Sequence, residues 1–137
     1  MTVLTTPKVD LERFREQGYL VVEGIFDPVE DLDPVVAEYS ALLDTLSDEW
    51  VANGTIKRDY RELPFAERLA GVLNEAGPSG FQPFDISLPF HGVTEETRIH
   101  LGSKVFGLLR NERLLNVVEQ FIGPEILSNP IQHVRIK

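Results

Sequence analysis

NERLLNVVEQFIGPEILSNPIQHVRIK, residues 111–137, decides the fold expected of this chain. Leu114, Val117, Val118, Phe121 and Ile122 recur at the spacing of one helix face. Asn111 is a suitable cap for that helix, and Gly123-Pro124 is a helix stop. Glycine accepts a left-handed backbone, and proline cannot continue a helix. Beyond Ile126-Leu127 and a break at Ser128-Asn129-Pro130, the run from Ile131 to Lys137 alternates. Ile131, His133, Arg135 and Lys137 take one side, and Gln132, Val134 and Ile136 the other, as in a strand. A strand leaves backbone donors and acceptors open until something pairs with it. On this reading the sequence ends where a sheet should begin.

Working outward, the length of 137 residues suits one domain with a core of its own. A hydrophobic fraction of 42% argues against global disorder. The formal charge of −9 argues against a nucleic-acid or anionic-membrane surface, which needs a basic patch. With no cysteine, disulfides and thiolate metal sites are excluded. No apolar run reaches bilayer-spanning length, and the first residues lack the layout of a signal peptide, so the expectation is a soluble cytoplasmic protein.

In chain order, Asp10 caps a short helix over Leu11 to Gln17 that ends at Gly18. Tyr19 to Phe26 is rich in β-branched and aromatic residues and predicts a strand. Asp27-Pro28 opens a long helix reaching about Ala52, in which Pro34 kinks the first turn or delays the true start. Asn53-Gly54 closes it. Leu63-Pro64 precedes a helix over Phe65 to Glu75, which stops at Gly77-Pro78. Residues 77–93 form a long loop carrying Phe81, Phe84 and Phe90, and long loops in compact domains serve function or mobility. Part of Thr94 to Arg110 is helical, with Ser103 as a cap for Lys104 to Arg110. Four or five helices and two or three strands give an α+β fold, with the helices packed on one side of a sheet.

Two stretches resemble the phytanoyl-CoA dioxygenase family. One is the helix closing as Phe121-Ile122-Gly123-Pro124-Glu125-Ile126-Leu127 and the strand after it. The other is Phe14-Arg15-Glu16-Gln17-Gly18-Tyr19-Leu20-Val21-Val22, which looks like the family's opening helix, turn and first strand. The resemblance runs through the chain in order and covers the family's N-terminal part. It implies a double-stranded β-helix (jelly-roll) barrel, incomplete in this chain, with N-terminal helices against its larger sheet. It also implies an iron(II)- and 2-oxoglutarate-dependent dioxygenase that hydroxylates a small-molecule substrate. The family's iron-binding His-X-Asp would fall after Lys137, and none of the three histidines here starts such a motif. No metal ligand or catalytic residue is therefore expected within 1–137.

The cofactor-binding candidates come from the same resemblance. His133 falls on a position that contacts 2-oxoglutarate, with Arg135 and Lys137 on the same face. Cationic donors are what a dicarboxylate requires. Lys104 falls near another such position. His91, His100 and His133 show no spacing that puts two ligands on one face, and there is no phosphate loop or nucleophile motif. The acids at Glu30, Asp31, Asp33, Asp48 and Glu49 read as solvated helix faces. The alternative function is a non-catalytic interaction domain that completes its sheet with another chain. An incomplete barrel leaves the C-terminal strand unpaired, so self-association through it is also expected.

Overall fold

A computed structural model describes residues 5–129 and 132–134. They fall into two compact units: residues up to Val35 with Gly102–Asn129, and Val36–Leu101 with the stretch 132–134.

In the first unit, helix α1 (Leu11–Gln17) forms as expected. The Asp10 carboxylate accepts the Arg13 amide, and Gly18 takes a left-handed φ of 77°. Helix α4 (Ser103–Leu109) starts after Gly102, one residue ahead of the expected cap Ser103. Helix α5 (Glu112–Ile122) is capped by Asn111, whose side-chain oxygen accepts the amides of Arg113 and Leu114. Its apolar face is only partly enclosed. Val117 is buried, Leu114, Val118 and Phe121 are half-buried, and Ile122 is 61% exposed. Phe121 meets Phe14 edge to face at 4.9 Å between ring centres. Gln120 ties α5 to the N-terminal segment by accepting the Val9 amide at 3.0 Å and donating to the Pro7 carbonyl at 3.0 Å. Asp31 is the unit's polar knot: its carboxylate takes the Arg113 guanidinium, the Asn111 amide group and the Asp27 backbone N–H.

The second unit is built on helix α2 (Asp33–Ala52), whose residues from Val36 on belong to it, and helix α3 (Phe65–Ala76). Pro34 delays the start of α2 in a specific way. Residues Pro28–Leu32 make a wide turn in which the Asp33 amide reaches the Pro28 carbonyl, five residues back. Such a turn accommodates the amide that proline lacks. Tyr39, Leu43 and Leu46 of α2 are buried with Ile56, Leu69, Val72 and Phe84. Arg68 is buried beside them and satisfied three ways, by Asp44 at 2.6 Å, Ser47 Oγ at 2.9 Å and the Asp59 carbonyl at 2.9 Å. The aromatic loop after α3 is partly ordered as a tight 3-10 segment, Pro78–Phe84. Gly80 lets it pack, because a Cβ there would lie 2.7 Å from the Ala76 Cβ.

The described residues contain no β-strand. This overturns the α+β expectation and the partial jelly-roll sheet: the described architecture is helices and loops. The physical reason is the lack of a partner. Preference for the strand state measures fit to a pleated, half-buried surface. Between residues 19 and 26 no such surface forms: Tyr19 is 61% and Val21 76% exposed, and the Ile25 carbonyl accepts from the Arg113 side chain. In the last stretch, the amides of Gln132 and Val134 bond to the side chains of Ser87 and Asp85 instead of a neighbouring strand. Ile131 and residues 135–137 of the expected strand lie outside the described residues.

Candidate functional site

The second unit gathers polar groups around Asp85, which follows the 3-10 segment and is 9% exposed. One carboxylate oxygen accepts the backbone amides of Ile86 at 2.8 Å and Val134 at 3.1 Å. The other lies 2.8 Å from His133 Nδ1. Burial alone would push the Asp85 carboxyl up. The hydrogen bonds from His133, Val134 and Ile86 outweigh burial and hold it below the usual aspartate value. An ionised carboxylate only accepts, so Nδ1 of His133 carries the proton in that contact. Ser87 continues the attachment, accepting the Gln132 amide at 3.0 Å and donating to the Gln132 carbonyl.

A second histidine–carboxylate pair lies in the same unit. His100 Nε2 is 3.1 Å from Glu38, and the His100 backbone amide donates to the Asp85 carbonyl at 2.7 Å. The Tyr39 ring packs on the His100 ring, 4.7 Å between centres, and its hydroxyl donates to the Phe84 carbonyl at 3.2 Å. Burial first, then the nearby Glu38 and Asp85 charges, push the Tyr39 hydroxyl up to about 12. Tyr39 therefore stays a neutral hydrogen-bond donor at neutral pH.

Next to Asp85 a cavity of about 370 Å³ is lined by Ile86, Ser87, Leu88, Pro89, Phe90, Ile99 and His133. The Phe90 ring is 82% exposed and stands 6.2 Å from the His133 ring. Among the described residues seven side chains line it, of which five are apolar and none is Lys or Arg.

Of the four residues expected to touch 2-oxoglutarate, His133 sits on this cavity wall. Lys104 belongs to the first unit, on α4, where it borders a smaller hollow of about 260 Å³ with Glu30, Asp31 and Pro34. Arg135 and Lys137 lie outside the described residues. The residues that hold His133 in place, Asp85 above all, carried no signal in the sequence. Asp85 sits alone in a proline-rich loop, 48 positions from its partner.

Among the described residues no three His, Cys, Asp or Glu side chains converge on one point. His133 and His100 are each committed to a different carboxylate, and His91 stands exposed in the loop. These residues do not fit an iron centre. No helix of the described residues is long and apolar enough to cross a membrane. Comparison with protein-family models, with curated proteins and with solved structures found no match.

Proposed function

We propose that this chain is the N-terminal portion of an iron(II)- and 2-oxoglutarate-dependent oxygenase resembling the phytanoyl-CoA dioxygenases, inactive by itself. The resemblance of the two sequence stretches motivates the reading. One observation carries it: His133, singled out on sequence grounds, lines a cavity of ligand size and is held there by Asp85. The reaction class is hydroxylation of an unactivated carbon of a small molecule, coupled to oxidation of 2-oxoglutarate to succinate. The described residues do not fit the metal, so on this reading its ligands come from other sequence and this portion binds and orients. His133, with Arg135 and Lys137, makes up its proposed contact set for 2-oxoglutarate, and Lys104, on α4 of the first unit, stays a separate candidate. The acidic, cysteine-free composition agrees with a cytoplasmic protein that is not a nucleic-acid binder.

The second reading, a non-catalytic interaction module, is favoured by bare apolar side chains. Leu88, Phe90, Val93 and Leu101 are all exposed in the second unit, and such groups promote association with a partner or a second copy. Determining the coding sequence that follows Lys137, with a succinate assay on its product, separates the two. A His-X-Asp within the next few tens of residues, with 2-oxoglutarate-dependent succinate formation that residues 1–137 lack, supports the oxygenase. A natural stop after Lys137, with a stable product and no turnover, overturns it.

A further inference from the structure

The cavity beside His133 has a chemistry of its own. Its volume of about 370 Å³ lies at the low end of small-molecule sites, roughly 300–1,000 Å³. That suits one ring with a short substituent. Ile86, Leu88, Pro89, Phe90 and Ile99 offer an apolar body of contact. Both polar lining side chains are constrained. Ser87 Oγ is engaged with both backbone groups of Gln132. His133 Nδ1 is engaged with Asp85, so Nε2 is the ring's remaining polar atom.

With Nδ1–H donated to a carboxylate, the neutral imidazole presents Nε2 as an acceptor. An acceptor at the edge of an apolar cavity selects a ligand that donates. Charge selects as well. Among the described residues the wall holds no Lys or Arg, and any positive charge on His133 is already matched by Asp85. An anionic ligand would enter beside the Asp85 carboxylate with no cation among those residues to meet it.

We propose that this cavity binds an uncharged small alcohol or phenol with an apolar body, its hydroxyl donating to His133 Nε2. Among the described residues the site is built from residues within 85–99 and His133, and it does not rest on the oxygenase reading. His133 is the binding residue. Asp85 is a positioning residue that fixes its tautomer.

The test is an NMR titration of the full labelled chain with three probes of one shape: p-cresol, toluene and p-toluate. p-Cresol should shift the Ile86, Ile99 and Phe90 resonances and the His133 ring nitrogens. It should bind about tenfold more tightly than toluene, the size of one net hydrogen bond. p-Toluate should bind least. His133→Phe should remove the preference for p-cresol over toluene while leaving toluene affinity in place. Asp85→Asn should move the His133 nitrogen shifts away from the Nδ1–H tautomer and reduce that preference. Leu88→Trp, which fills the cavity from an exposed position, should weaken all three probes. Tightest binding of p-toluate, equal binding of p-cresol and toluene, or no shifts at Ile86 and Ile99 with any probe would each overturn the proposal. These wild-type titrations decide it even where a variant fails to fold.

Discussion

Asp85→Ala should release the stretch 132–134 without unfolding the second unit. The aspartate carboxylate accepts three hydrogen bonds, from His133 Nδ1, Val134 N and Ile86 N. Hydrogen bonds to a charged group contribute roughly 1.5–3 kcal/mol each. Two of the three tie 132–134 to the loop, and the freed donors regain water because His133 is exposed and Val134 only half-buried. The expected local loss is therefore about 2–4 kcal/mol, below the plain sum. Amide hydrogen exchange reads it directly. At 1.4 kcal/mol per tenfold, exchange at Val134 should speed up by about 30- to 700-fold. The Leu46 amide, in the middle of α2, is the control and should change far less. The same attachment gives a pH dependence with a definite sign. The Asp85 carboxyl is held below its ordinary value of 3.8, so its contribution is complete above that value. It is lost as pH falls through the depressed folded value. Protection of Val134 should accordingly fall on acidification below about pH 4, while the alanine variant shows no such step. An unchanged Val134 exchange rate in Asp85→Ala would refute the reasoning, because the three contacts would then contribute nothing.

Phe121→Ala should cost about 1–2 kcal/mol in a urea melt, short of the roughly 3–5 kcal/mol of an enclosed phenylalanine, since Phe121 is half-buried against Phe14. Glu119→Ala, on the exposed side of α5, should stay within about 0.5 kcal/mol, and equal costs for the two would show the helix face wrongly assigned. Anaerobic titration of the chain with cobalt(II) should reveal no stoichiometric site of micromolar affinity, because three donors nowhere converge among the described residues. Sedimentation velocity at tens of micromolar should show the intact chain associating through its exposed apolar side chains and Leu101→Ser shifted toward monomer. Identical clean monomers would remove self-association from the reading.

Helix boundaries were legible because their signals are local. Asp10, Asp27 and Asn111 each cap within three residues of their own position, and Gly18 and Gly123 end α1 and α5. Those interactions need no knowledge of the rest of the fold. The sheet was misread for the converse reason. A run such as Tyr19-Leu20-Val21-Val22 reports fit to a pleated surface, and whether such a surface exists is a tertiary fact. The site divides along the same line. His133 was reachable through resemblance, and the aromatic loop through its length. Asp85 and Glu38 were not, since their histidines lie 48 and 62 positions away. The acids nearest in number were also misleading: Asp31 reads as part of a solvated helix face and is instead the knot joining Arg113, Asn111 and Asp27.

The Asp85–His133 pair also separates the two ligands proposed for this region. A dicarboxylate needs net positive charge at its carboxylates. His133 alone cannot supply it, because Asp85 lies 2.8 Å from its ring and matches its charge when it is protonated. Any hold on 2-oxoglutarate must then depend on other cationic side chains, with His133 contributing direction more than charge. An uncharged donor ligand makes the opposite demand. It needs an apolar wall and a fixed acceptor, and residues 85–99 with His133 provide both. Asp85 thus lowers the affinity of this wall for anions while sharpening its preference for a hydroxyl. Such a wall suits the neutral, apolar partner of a reaction better than its charged co-substrate.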